Sequence, residues 1–154
     1  MPIRNSVKAI ITEGDSVLLT KNMDKEGAFY LFPGGGQEHE ETMHDALRRE
    51  CMEEAGIPVQ VNELLYVREY IGKDHEHADF DSGVHQIEYY FLCEQNPEML
   101  KSEPTNPDDH QIGIEWVSIA DLHHYRIYPN AMVSSLVDYF IKNQPGPVYL
   151  GNIN

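Results

Sequence analysis

The stretch PGGGQEHEETMHDALRRECMEEAGI, from Pro33 to Ile57, constrains this chain more than any other. Three successive glycines read as a turn that ends the preceding extended segment. Thr42 followed by Asp45 resembles a capping box, so the spacing predicts a helix from Met43 to Ala55, stopped by a left-handed Gly56. At about 100° per residue, Met43, Ala46 and Leu47 form an inward apolar patch. Continuing that stripe by one and two turns lands on Glu50, Glu53 and Glu54, where a buried face should be apolar.

An unpaired buried carboxylate costs several kcal/mol, so a purely structural reading would place these glutamates in solvent. Their angular position opposes that, and carboxylates at i, i+3 and i+4 repel one another. A hard divalent cation that accepts their oxygens removes both difficulties, and the geometry favours it. Arg49 has Asp45 and Glu53 four residues to either side; it either orients a carboxylate or makes an ordinary surface pair. Gly34, Gly35 and Gly36 let the backbone approach a ligand closely, although most glycine turns are only turns.

The 154 residues suit one compact domain, 1–154, that buries roughly two-thirds of its unfolded surface. VKAIIT and SVLLT flank the turn EGD and read as a hairpin, and FYLFPGGG reads as a short aromatic strand. After the helix, VQVNELLYVREYIG and VHQIEYYFLCE supply two more strands. KDHEHADFDSG and QNPEMLKSEPTNPDDHQ read as surface loops, and IGIEWVSIADL as a strand running into a short helix. Apolar spacing predicts a second helix from Asn130 to Lys142, and NQPGPVYLGNIN an irregular tail. This order points to helices on a largely antiparallel or mixed sheet, an α/β or α+β sandwich.

A formal charge of −15, from 26 acidic and 11 basic residues, argues against a broad DNA or anionic-membrane footprint. An anionic ligand then needs local help, commonly a bound cation. Neither a signal-peptide core nor a membrane-length apolar run is present, so the expected location is cytoplasmic. Cys51 and Cys93 have no disulfide or zinc spacing and read as reduced, buried thiols.

The glycine–helix stretch resembles the Nudix box: Gly35, Glu41, then Arg49, Glu50, Cys51, Met52, Glu53, Glu54, Ala55, Gly56 and Ile57. Only Cys51 departs, standing where an aliphatic residue is usual. The flanking FPGG, the later EWVSIADL and the C-terminal helix extend the resemblance from Val7 to about Lys142. It implies an α/β/α sandwich around a mixed sheet. It also implies Mg2+- or Mn2+-dependent hydrolysis of the diphosphate bond in a nucleoside diphosphate linked to a group X. Glu50 and Glu54 would ligate the metal, joined by Glu53 and the Gly34 carbonyl, while Arg49 would orient a box glutamate. Glu41 would support the loop, or else is an exposed charge favoured by the helix dipole.

The catalytic candidates are therefore Glu50, Glu53 and Arg49. The general base is Glu50 or Glu54 within the box, or a later glutamate: Glu88, Glu103 or Glu115. Strand alternation also allows Glu88 to be a plain outward charge. Lys21, Gly35 and Asn130 are candidate substrate contacts. Lys21 otherwise snorkels at a strand end, and Asn130, loosely like a base-reading asparagine of MutT-type members, is favoured as a helix N-cap. Phe29, Tyr89 and Tyr128 either stack on a base or pack in the core. His75 and His77, with Glu76, Asp79 and Asp81, read as a solvated loop near the site rather than a metal centre, and His123 and His124 take the same caution.

The competing readings are a non-catalytic Nudix nucleotide-sensing module and an isoprenoid-type isomerase, for which Cys93 is a poor reactive thiol. The sequence leaves open the X group, the phosphorus attacked, and whether two chains pair as a homodimer.

Overall fold

A computed structural model of the protein describes residues 2–99 and 101–154; residue 100, within one predicted loop, lies outside the described residues. Nine strands form a mixed sheet ordered β8-β3-β2-β1-β6-β5-β9, with β4 on β1 and β7 on β2. The predicted hairpin is β1 (Arg4–Glu13) and β2 (Ser16–Asp24). These two pair only at the turn, Thr12 with Val17 and Glu13 with Ser16. Past that point the strands diverge, and the sheet curls into two halves.

One half joins β1 in parallel to β6 (His85–Gln95), which pairs antiparallel with β5 (Val59–Ile71). The other joins β2 to β3 (Gly27–Leu31) and β7 (Gln111–Ser118), and β3 to the short β8 (Ile127–Tyr128).

The period-2 pattern of β1 builds both cores. Val7, Ala9 and Ile11 turn to the helix α1 (Met43–Ala55) and pack with Ala46, Leu47, Cys51 and Ala55. Ile10 turns the other way, into the cluster of Leu19, Phe32, Tyr90, Met132 and Leu136. The last two belong to the C-terminal helical segment. Both cysteines are free and buried, and burial pushes the Cys93 thiol up to about 12.

The structure corrects several readings. The glycine run is a strand, β4 (Gly34–Gly36), paired antiparallel with β1. The C-terminal tail is not irregular: β9 (Tyr149–Asn152) adds in parallel to β5. KDHEHADFDSG is entered by a 3-10 turn, Gly72–Asp74, and contains a short helix α2 (Ala78–Asp81). The second predicted helix is shorter: α3 spans Val133–Phe140 after a 3-10 turn at Asn130–Met132. Met132, not Asn130, occupies its N-cap position.

Glu88 is no outward charge. It is 3 % exposed, accepts Arg68 Nε at 2.7 Å and takes the Tyr90 hydroxyl. Burial alone would raise its carboxyl, but Arg68 and Lys8 hold it down at about 2. Because this folded value lies below the ordinary carboxylate value of about 4.3, the stabilisation is fully present above about pH 5 and is lost as pH falls toward 2. Glu88→Gln should therefore cost about 3–5 kcal/mol near neutrality by leaving Arg68 buried and unpaired. Urea titrations should show that difference shrinking steadily below about pH 4; a gap independent of pH would mean that the ionised pair is not its source.

Candidate active site

The site begins where β4 lies against β1, with Ser6 opposite Gly36, Val7 opposite Gly35 and Lys8 opposite Gly34. Side chains are excluded here from two directions. A Cβ on Gly34 would run into the Val7 carbonyl, and its φ of +146° also disfavours other residues. A Cβ on Gly35 would stand 2.6 Å from Glu50 Oε1, so this bare strand lets the Glu50 carboxyl lie on its backbone.

Helix α1 is set as the sequence predicts. The Asp45 amide donates to Thr42 Oγ1 at 3.1 Å, and Gly56 closes the helix at φ +67°. Arg49 then gathers the carboxylates. Its Nε and Nη2 donate to both oxygens of Glu41 at 2.9 and 3.1 Å. Nη1 reaches Glu50 Oε1 at 3.0 Å and Glu53 Oε2 at 3.2 Å, and Nη2 also donates to the Gly36 carbonyl at 3.1 Å. The hydrogen bond from Arg49 holds the Glu41 carboxyl below its usual range. Asp45 is not an Arg49 partner; it pairs with Arg48 at 3.0 Å.

Glu54 is held differently. It is 3 % exposed, and its Oε2 accepts the Gly34 amide at 2.6 Å. Burial, then a hydrogen bond with Asp108, pushes its carboxyl up to about 9, against the nearby Lys8 charge. Burial also raises Glu50, with Arg49 opposing. Lys8 Nζ lies 3.4 Å from the Gly34 carbonyl.

The proline-rich loop packs on the end of α1, with the Asn106 amide on the Glu53 carbonyl at 2.8 Å and Ser102 N on Gly56 O at 2.8 Å. That docking delivers Asp108 to Glu54, and Gln111 donates to the Glu54 carbonyl at 2.7 Å.

Thus Glu50, Glu53, Glu54, Arg49, Gly34 and Gly35 come together. Lys21 sits on β2, opposite Tyr30 of β3 and Gly113 of β7. Asn130 is exposed in its 3-10 turn. Of the later glutamates, Glu103 is exposed and Glu115 half-buried, the latter near the Tyr125 ring, whose hydroxyl is raised by burial and then by this carboxylate. Tyr89 packs on the α1 core.

Sequence reasoning missed Lys8, Asp108 and Arg68. The only available signal was polar residues in apolar strands, Lys8 within VKAIIT and Arg68 within YVREY, and the doubled aspartate of NPDDHQ.

Among the described residues, no three His, Cys, Asp or Glu side chains stand as a preformed metal cage. Arg49 draws off Glu50 and Glu53, and Glu54 turns to the Gly34 amide. The donor set nevertheless suits a hard divalent ion: the carboxylate oxygens of Glu50 and Glu53, a peptide carbonyl, and the buried carboxyl of Glu54.

Residues 2–134 match the NUDIX domain model, and the chain belongs to the Nudix family. It is 31 % identical over 109 residues to the 8-oxo-dGDP phosphatase NUDT18 of Danio rerio, covering 70 % of this chain and 29 % of that one. It is 29 % identical over 117 residues to Nudix hydrolase 16, mitochondrial, of Arabidopsis thaliana, covering 75 % and 61 %. The chain thus spans less than two thirds of either relative.

Among solved structures, a NUDIX hydrolase from Nitrosomonas europaea superposes with a TM-score of 0.72 at 17 % identity, covering 96 % of this chain and 94 % of that one. A UDP-X diphosphatase gives 0.70 at 15 %, covering 97 % and 67 %. The fold is accordingly the Nudix α/β/α sandwich. No helix among the described residues is long and apolar enough to cross a membrane.

The two glycines should respond differently to alanine. Gly34→Ala meets rigid backbone and should cost roughly 3 kcal/mol or more by urea denaturation. Gly35→Ala meets only the movable end of Glu50 and should cost clearly less, while displacing that carboxyl.

Proposed function

We propose that the protein hydrolyses the diphosphate bond of a nucleoside diphosphate linked to X, with Mg2+ or Mn2+, releasing a nucleoside monophosphate and phosphorylated X or pyrophosphate. The observation that carries this reading is the gathering of oxygen donors at the glycine strand: the buried Glu54 carboxyl on the Gly34 amide, and Glu50 and Glu53 held beside it by Arg49. Family membership supports the chemistry. The relatives' names, an 8-oxo-dGDP phosphatase and a UDP-X diphosphatase, support a nucleotide-derived substrate.

Glu50, Glu54 and the Gly34 carbonyl would hold the cation, with Glu53 as a further oxygen donor. When bound, the cation supplies Lewis acidity, neutralising diphosphate oxygens and acidifying a water.

The chain's own groups do the rest. Arg49 takes one oxygen of Glu50 and fixes the direction of the other, Oε2, which either joins the cation or accepts the proton of the attacking water. Lys8, beside the Gly34 carbonyl, is placed to meet a phosphoryl oxygen as charge spreads over it. Asp108, on the loop docked at the end of α1, stands close enough to Glu54 to help burial raise its carboxyl, and it joins Glu88, Glu103 and Glu115 as an acid outside the box.

The test is product analysis on a panel of nucleoside triphosphates, dinucleotides and nucleoside diphosphate sugars, before and after chelation. Turnover should vanish with chelator and return with Mg2+. Glu50→Gln should lower kcat about 100- to 10,000-fold. Tight binding of one panel member without turnover would replace the hydrolase by a nucleotide-sensing module.

A further inference from the structure

Arg4 differs from the other arginines of the chain. Arg48, Arg49, Arg68 and Arg126 each pair with a carboxylate, those of Asp45, Glu41, Glu88 and Asp24. Among the described residues Arg4 has no such partner, and its hydrogen bond is a long one, from Nη1 to Gln86 Oε1 at 3.5 Å. The guanidinium lies over the glycine strand, where a Cβ on Gly36 would stand 2.5 Å from Nη2. Its remaining N–H donors, in a planar fork suited to a phosphoryl group, are left unused.

A chain of polar groups anchored in the core holds the guanidinium there. Gln86 Nε2 donates to Glu88 Oε2 at 2.5 Å, and Glu88 is itself fixed by Arg68 and the Tyr90 hydroxyl. A side-chain amide that gives its nitrogen to a carboxylate turns its oxygen away; here that oxygen meets Arg4. Gln86 thus places the arginine without neutralising it.

The register of β1 on β4 sets what Arg4 can reach. Lys8 lies opposite Gly34 and Ser6 opposite Gly36, and Arg4, two residues before Ser6, belongs to the same face of β1. Lys8 marks one end of the glycine strand, at the Gly34 carbonyl, and Arg4 marks the other. These ends are two residue rises apart, about 7 Å. One P–O–P link, as in the diphosphate to be cleaved, falls well short of that span, whereas two links in series approach it.

Beside Arg4 opens a cavity of about 710 Å³, walled by Arg4, Asn5, Gln37, Glu41 and Gln86 among others. Its acidic residues do not cancel the arginine. Glu41 is taken by Arg49, and the side chains of Glu38 and Glu40 are 70 % and 86 % exposed to solvent.

We propose that Arg4 binds a phosphoryl group one further along than the cleaved diphosphate, and that Gln86 positions it. The group X then carries negative charge. The substrate has at least three phosphoryl groups in a row, as in a nucleoside triphosphate or a dinucleoside polyphosphate, in preference to a diphosphate joined to an uncharged sugar. The proposal rests on the hydrolase reading above and adds the charge of X and the residue that reads it.

The experiment measures kcat and KM with Mg2+ on a nucleoside triphosphate, a dinucleoside tetraphosphate and a nucleoside diphosphate glucose that share one base. Wild type, Arg4→Ala, Arg4→Lys, Gln86→Ala and the double alanine variant are compared. Wild type should favour the two polyphosphates. Arg4→Ala should lose about 10- to 100-fold in kcat/KM on both, mainly through KM, with a clearly smaller loss on the sugar nucleotide. Arg4→Lys should recover part of that loss. Gln86→Ala should shift KM the same way and add nothing once Arg4 is alanine, a non-additivity that a merely structural role would not give.

Either polyphosphate may lead and uphold the proposal: the tetraphosphate if the cavity takes a second nucleoside, the triphosphate if it takes a terminal phosphate alone. A wild type that favours the sugar nucleotide, or equal losses on all three substrates, would overturn the role of Arg4. Additive losses in the double variant would overturn that of Gln86. If wild type turns over none of the three, the hydrolase reading fails separately, and calorimetric titration with inorganic tripolyphosphate and Mg2+ decides. Weaker binding in Arg4→Ala upholds the phosphoryl site, and equal or absent binding in both proteins overturns it.

Discussion

The Arg49 guanidinium fixes the geometry of the site. Five hydrogen-bond contacts run from one planar group to Glu41, Glu50, Glu53 and the Gly36 carbonyl. Without a cation there, three glutamates on adjacent turns of α1 would repel one another and swing into solvent. Lysine could not substitute, since a single ammonium lacks the planar fork that spans both Glu41 oxygens while reaching the helix. The same group ties α1 to β4, so the carboxylates keep one position relative to the Gly34 carbonyl.

That arrangement depends in turn on how β1 serves two masters. Its odd-numbered side chains, Val7, Ala9 and Ile11, pack under α1. Its backbone pairs with β4 on one side and β6 on the other. Lys8 therefore stands where the glycine strand, Glu54 and Glu88 meet, and its charge lowers the carboxyl pKa at Glu50, Glu54 and Glu88. The buried Arg68–Glu88 pair, one strand further across, carries the same polar seam to the C-terminal segment.

Local signals made α1 legible: a cap, a glycine stop and a 3.6-residue period all lie within the helix's own sequence, so its limits at Met43 and Ala55 were readable. The box glutamates were readable for the same reason. What escaped was non-local. Nothing in three glycines distinguishes a turn from a strand, because β4 exists only through its pairing with β1. Tyr149–Asn152 lacks apolar alternation strong enough to announce β9, which takes its order from the edge of β5. Glu88 read as an outward charge because alternation identifies a face but not what covers it; here Arg68 and Tyr90 cover it. Asp108 reaches Glu54 only because its loop docks on the end of α1.

Net charge describes the chain as a whole and not the site. With a formal charge of −15, the chain as a whole repels anions, yet its basic residues are not evenly spread. Arg4 packs its guanidinium against Gly36, Lys8 reaches the Gly34 carbonyl, Arg49 the Gly36 carbonyl, and Arg68 lies two strands from Lys8. Three of the 11 basic side chains thus gather around one three-residue strand, with Arg68 further off and paired with Glu88. Screening cuts off distant surface carboxylates within about 8–10 Å, whereas half-buried groups beside a ligand are screened much less. The potential at the glycine strand is therefore set by these three cations, the box carboxylates and any ion those carboxylates hold. An acidic exterior of this kind works against loose association with polyanions, and it leaves the potential at that one strand to the groups beside it.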